Sequence, residues 1–179
     1  MIKQLLYRLL GKAVNISFNT LNLILAGNLP PLGSACVVVE EEGRLLVIER
    51  TKDQFVFPGG FMRWREQPAQ TALRECEEET GLRLKIGEVV GYHSIVSTRF
   101  DRMSTLVIIY QGEVVGGELR RSIEGQPCWR EAAYLHGRMN LHFENILANY
   151  LNYRARQEKQ AVSGGGLEVV KSGTSNTNP

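Results

Sequence analysis

The sequence predicts an α/β fold built on a mixed β-sheet, with one further helix added at the N-terminus. Three observations predict it. β-Branched apolar runs occupy residues 35–40 and 45–49, and longer ones occupy 86–96 and 105–115. Two other segments, 68–80 and 141–156, repeat their apolar residues at helical spacing instead. The length of 179 residues suits one domain with a sizeable core and is thin for two.

The first element is a helix, because Leu5, Leu6, Leu9, Leu10 and Val14 fall on one face until Asn28-Leu29-Pro30-Pro31 breaks the pattern. Lys3, Arg8, Lys12, Asn15, Asn19 and Asn22 make it too polar to span a bilayer. Residues 1–30 are therefore expected to form an amphipathic helix and linker that packs on the domain, joins two subunits as a homodimer, or lies on a membrane surface. The run 35–40, the Glu41-Glu42-Gly43 turn and the run 45–49 read as a hairpin. A short strand, Phe55-Val56-Phe57, then stops at Pro58-Gly59-Gly60. Over 68–80, Pro68 suits a first helical position and Ala69, Ala72, Leu73 and Cys76 form the apolar stripe; Gly81 supplies the stop. The long strands 86–96 and 105–115 flank a charged loop, Arg99-Phe100-Asp101-Arg102. The last helix places Leu141, Ile146, Leu147, Tyr150 and Leu151 on one side. A domain over residues 31–158 results, followed by a tail, 159–179, rich in Gly, Ser, Thr and Asn and expected to be disordered.

Composition narrows the function classes. The apolar fraction is 43% and the charged fraction 22%, both near globular averages. A formal charge of +2 gives no general pull towards a nucleic-acid polymer or an anionic membrane. Cys36, Cys76 and Cys128 are odd in number and lack the close pairing of zinc ligands, which predicts reduced thiols and a cytoplasmic location.

The chemistry is expected on the helix over 68–80. At about 100° per residue, Glu75, Glu78 and Glu79 lie within one arc of about 100°, while Glu77 points elsewhere. Three neighbouring carboxylates repel one another, and a divalent cation among them resolves that conflict. An all-oxygen ligand set favours Mg²⁺ or Mn²⁺. Taken alone, such a cluster is more often a solvated helix face, here supported by an Arg74–Glu78 pair one turn apart. The surrounding spacing changes that balance.

From Gly60 the sequence runs through five residues to Glu66, seven more to Arg74-Glu75, then Cys76, Glu77, Glu78-Glu79, Thr80, Gly81 and Leu82. This resembles the Nudix box, G-x5-E-x7-R-E-U-x-E-E-x-G-U, at every specified position; a chance match is on the order of 10⁻⁹ per register. The resemblance implies an α/β/α sandwich and metal-dependent hydrolysis of a diphosphate linkage in a nucleoside diphosphate joined to another moiety. It implies Glu75, Glu78 and Glu79 as metal ligands, with the Gly59 or Gly60 carbonyl completing the site. Glu75 is the candidate general base. Glu66 and Arg74 are expected to pair and hold loop to helix, with Arg74 also orienting Glu75.

Further residues are candidates by position. Arg50 ends a strand where relatives of this family often present a phosphate-binding arginine. Glu124, in the Ile123-Glu124-Gly125-Gln126-Pro127 loop, is the candidate further metal ligand or alternative base, with Glu118 behind it. Trp64 is a candidate to stack on a base, or else to cover the core edge. His93, His136 and His142 are scattered and read as satisfied or exposed. The subfamily is not identified: Ser97 and Thr98 stand where the ADP-ribose group tends to have proline, and Phe100 replaces a tyrosine of dinucleoside polyphosphate hydrolases. The competing expectation is a non-catalytic nucleotide sensor, a class that commonly loses box glutamates, all of which this chain retains.

Overall fold

A computed structural model describes residues 2–164 of the chain. The elements in order are α1 (Ile2–Ile24), β1 (Leu32–Glu41), β2 (Arg44–Thr51), β3 (Gln54–Val56), β4 (Gly59–Phe61), α2 (Pro68–Thr80), β5 (Leu82–Ile95), β6 (Thr105–Gly117), β7 (Gln126–Glu131), α3 (Ala132–Leu135) and α4 (Leu141–Gly164).

β1 organises the sheet, which runs β3-β2-β1-β6-β5 with β4 also paired to β1 and β7 to β2. The sheet is mixed because β1 and β6 are parallel, Leu32 opposite Thr105 through Val39 opposite Gly112, while the other pairs are antiparallel. Alternation along β1 sorts its side chains between two cores. Cys36 and Val38 join Ile146, Leu147 and Tyr150 of α4 on one face. Ala35, Val37 and Val39 join Ala72 and Cys76 of α2 on the other. The result is the expected α/β/α sandwich, with α2 and its acids held against one face.

Helix α2 begins at Pro68, where Gln67 N–H donates to Gln70 Oε1 at 2.9 Å, and it stops at Gly81 with φ 82°. A Cβ there would meet Glu118 O at 2.4 Å, so only glycine fits the stop. All three thiols are free, and burial pushes Cys36 up to about 12 and Cys76 up to about 11. Both behave as small apolar groups, not nucleophiles.

Several boundaries differ from expectation. The chain does not leave the sheet at Pro58, since Gly59–Phe61 returns as β4 opposite Cys36 to Ser34. Residues 126 and 127 belong to β7, where Pro127 is tolerated because this strand pairs only with β2. β5 begins at Leu82, directly after the helix stop, and accommodates register shifts near Leu84 and Val89. α4 continues past 156 to Gly164, through Gln157 to Ala161, most of them good helix formers that reach beyond the core. The remainder of the expected tail, residues 165–179, lies outside the described residues, as do the side chains of Leu5 and Leu6.

The asparagines that make α1 too polar for a membrane core are the ones that dock it. Asn15 Nδ2 donates to Asp101 O at 3.1 Å, and Asn19 Nδ2 donates to Phe100 O at 2.7 Å and Arg102 O at 2.8 Å. Among the described residues no helix is long and apolar enough to cross a membrane.

Candidate active site

The register of α2 grades its acids by depth: Glu79 is buried, Glu75 partly buried and Glu78 exposed, while Glu77 faces solvent. β4 runs beside them. Gly59 N–H donates to Glu79 Oε2 at 3.0 Å. Its neighbours bond the other way, with Val37 N donating to Pro58 O and Met62 N to Gly33 O, as alternate residues of an antiparallel pair do. In an extended residue the N–H and C=O share one edge, so the Gly59 carbonyl faces α2 along with its N–H. The Gly60 carbonyl is engaged by Ser34 Oγ at 2.7 Å. Gly60 is required for another reason: a Cβ there would come within 2.5 Å of Glu75 Oε1.

Two arginine-centred groups tie the acids down. In the first, Arg74 donates to both oxygens of Glu66 at 2.7 and 2.8 Å, to Phe61 O at 3.2 Å, to Glu75 Oε1, and to Glu78 Oε2 at 3.4 Å. Glu66 Oε2 also accepts from Arg63 N–H and from the Thr71 hydroxyl. The Arg74 guanidinium, followed by the Arg63 amide, holds Glu66 down at about 2. Arg74 is in turn held above its ordinary range by Glu66. The expected pairing of Glu66 with Arg74, and of Arg74 with Glu75, is present.

In the second group, Arg50 Nη2 lies 2.8 Å from Glu124 and 4.0 Å from Glu79. Burial pushes Glu79 up to about 7; the Gly59 N–H and Arg50 oppose this, while Glu124 and Glu75 add to it. Glu79 is thus an acid fixed in place with too little positive charge around it. Arg50 and Glu124, singled out separately in the sequence, meet here. Glu118 lies instead at the far end of α2, its carbonyl against Gly81.

Among the described residues no three His, Cys, Asp or Glu groups converge at metal-ligand spacing, and Arg74 and Arg50 pair with the acids of α2. The donor set nevertheless suits a hard divalent ion. It is all oxygen, includes the Gly59 carbonyl, and contains one buried carboxylate short of countercharge.

Three participants carried no usable sequence signal. Arg63 pairs with both oxygens of Glu78 at 3.1 and 3.3 Å, yet it stands at an unspecified position of the box. Ser34 sits inside an apolar strand. His142, expected to be satisfied or exposed, has a buried Nδ1 with no hydrogen-bond partner among the described residues, and its ring lies 5.0 Å from that of His93. His136 does meet the expectation, 3.3 Å from Glu144. Trp64 does not cover the core: it is 87% exposed, with the Arg65 guanidinium 5.7 Å from its ring.

A NUDIX domain matches residues 29–138, more than half of the chain. The chain belongs to the NUDIX family. It is 30% identical over 123 residues to an ADP-ribose pyrophosphatase of Methanocaldococcus jannaschii, covering 65% of this chain and 71% of that protein. It is 36% identical over 99 residues to a MutT-like protein of Streptomyces ambofaciens, covering 53% of this chain and 61% of that one. A NUDIX hydrolase structure from Nitrosomonas europaea superposes with a TM-score of 0.61 at 17% identity, over 69% of this chain and 90% of that one, which supports the fold. Membership makes the chain a Nudix hydrolase, an enzyme of a family that acts on pyrophosphate linkages in small nucleotide substrates with divalent metal ions.

Proposed function

We propose that this enzyme hydrolyses the diphosphate linkage of a nucleoside triphosphate, an ADP-ribose-like compound or a nucleotide sugar by water attack at phosphorus, using Mg²⁺ or, in its place, Mn²⁺. The observation that carries the reading is Glu79, buried beside Gly59 and short of positive charge. Glu75, Glu78, Glu79 and the Gly59 carbonyl would hold the cation, with Glu124 as the further ligand. When bound, divalent ions neutralise the diphosphate, polarise the attacked phosphorus and lower the pKa of a bound water.

The remaining work falls to side chains of this chain. Glu75 takes the proton of the attacking water, with Glu124 the alternative base. Arg74 fixes the Glu75 carboxylate through its Nη1 and leaves Oε2 available. Arg50, 43% exposed at its side chain, exchanges Glu124 for a phosphate oxygen of the substrate. Exposed Trp64 is a surface on which a base can stack as substrate enters.

The name of the archaeal relative makes ADP-ribose the first compound to assay, and Ser97 and Thr98 keep the panel broad. Purified protein with Mg²⁺ is expected to hydrolyse at least one of ADP-ribose, nucleoside triphosphates, nucleotide sugars and dinucleotides, and to stop when the metal is chelated. No turnover on any of them with Mg²⁺ or Mn²⁺ would overturn the reading in favour of a nucleotide sensor.

A further inference from the structure

Helix α1 is amphipathic in the reverse sense to an ordinary surface helix, which turns its apolar stripe to the core. At about 100° per residue, Asn15, Asn19 and Asn22 lie within an arc of about 60°. That polar arc is the one turned to the protein. Asn15 and Asn19 donate to the backbone carbonyls of Phe100, Asp101 and Arg102, and Asn22 Oδ1 accepts from Leu29 N–H at 3.0 Å. Leu9, Leu10, Ile16, Leu23 and Ile24 fall on the far side, within about 140°, and each is between 43% and 74% exposed. Single exposed leucines are ordinary, whereas a stripe of five along one helix marks a surface that another body covers.

Charge identifies that body. The first 39 residues contain Lys3, Arg8 and Lys12 and neither Asp nor Glu, a charge of +3 against +2 for the whole chain, so the remaining residues carry −1. The near-neutral balance of the chain hides a basic end. Lys12 is exposed, and so is Arg102, whose carbonyl holds Asn19. A second copy of the chain would set one basic segment against another. The 23 residues of α1 also form a strip about 35 Å long and about 10 Å wide, smaller than the roughly 800 Å² per partner of a stable protein interface. A bilayer surface with anionic headgroups fits both properties, since acyl chains take the leucines and headgroup phosphates the basic side chains.

We propose that α1 lies flat on a membrane surface rich in anionic phospholipid. Leu9, Leu10, Ile16, Leu23 and Ile24 enter the boundary between headgroups and acyl chains, and the asparagines on the other side hold the hydrolase domain to the helix. The helix lies on the membrane and does not cross it, because among the described residues no helix is long and apolar enough to do so. α1 ends at Ile24, before the matched segment 29–138, so this attachment is an addition to the hydrolase and independent of its reaction.

The test is flotation of the full chain with vesicles of phosphatidylcholine containing one-third phosphatidylglycerol, against vesicles of phosphatidylcholine alone. The protein is expected to bind the first at least tenfold more tightly. Salt at about 0.5 M should remove that preference, since the Debye length then falls below about 5 Å. Lys12→Glu should lower the preference at least tenfold, because each cation near such a surface contributes about fivefold. Leu23→Asp combined with Ile24→Asp should abolish binding while thermal melting is unchanged, as both side chains are largely in solvent. Val115→Asp, at the far end of β6 and equally exposed, should bind as the parent does.

No binding to either vesicle, equal binding to both, or binding that Leu23→Asp with Ile24→Asp leaves unchanged would overturn the proposal. So would a preference unaffected by Lys12→Glu, or an equal loss in Val115→Asp. A dimer in sedimentation equilibrium that the Leu23 and Ile24 substitutions dissociate would also overturn it, since a second copy of the chain would then cover α1. Hydrolysis of a soluble anhydride by a protein that ignores vesicles would sink this inference alone, and vesicle binding without hydrolysis would sink the hydrolase reading alone.

Discussion

Glu66 and Glu79 stand 13 positions apart on either side of the same site, and the protein treats them in opposite ways. Glu66 accepts from Arg74, Arg63 and Thr71 and is held at about 2. Glu79 is the more buried, has one backbone donor at 3.0 Å with Arg50 4.0 Å away, and is pushed up to about 7. The first arrangement is complete without any addition. The second is not, because a carboxylate removed from water and facing Glu124 and Glu75 is stable as an anion only when a cation joins it. The contrast separates acids that build the site from acids that work in it.

Glu79→Gln attacks the working half and should have the largest effect. Turnover should drop by roughly 10²–10³ in kcat, the range for removing one strong electrostatic participant, while thermal melting shows a folded protein. In metal-free buffer at pH 8 that variant should be at least as stable as the parent, because a neutral amide replaces an uncompensated charge.

Arg74→Ala attacks the building half. It strands Glu66 and Glu75 together, and at 16% side-chain exposure the loss should be about 2–4 kcal/mol in urea denaturation. Activity falls with it, since Glu75 loses its anchor.

The two acids also make pH predictions of opposite sign. Glu79 is raised from 4.5 to about 7, so the folded protein binds more protons across that window. Its favourable contribution is present below pH 4.5 and lost as pH rises through about 7. Metal-free parent should therefore lose about 2–3 kcal/mol at most relative to Glu79→Gln between those limits. The difference between the two proteins isolates the effect, because His142, lowered from 6.5 to about 4, makes stability rise with pH over its own window. Glu66 contributes stability above pH 4.5 that is lost only as pH falls through about 2. Acid titration monitored by circular dichroism reads both.

The smallest effect belongs to Arg63→Ala. Its pair with Glu78 is solvated, 62% and 49% exposed at the two side chains, so stability should change by less than about 1 kcal/mol. A larger loss would mean that Arg63 belongs with the Glu66 group through more than its backbone.

Much of this contrast was legible in the sequence. Glu75, Glu78 and Glu79 follow a helical period and Glu66 and Arg74 a family pattern, so the face the three acids share and the Glu66–Arg74 pair could both be read from the residues. What the spacing does not carry is depth. That Glu79 is buried and Glu78 exposed depends on how α2 lies on β1, through Ala72 and Cys76 against Ala35, Val37 and Val39. The meeting of Arg50 with Glu124 depends on β7 pairing with β2, and Pro127 disguised that strand as a loop. β4 was hidden for a similar reason, since glycines chosen for close approach do not read as strand formers. His142 meets His93 only because α4 and β5 converge there.

Cation binding at the buried corner is the central claim, and Mn²⁺ titration followed by electron paramagnetic resonance measures it most directly. The parent should take up Mn²⁺ at pH 8, more weakly as pH falls through about 7 and Glu79 keeps its proton, and Glu79→Gln should bind at least tenfold more weakly. Equal binding by the variant and the parent would contradict it.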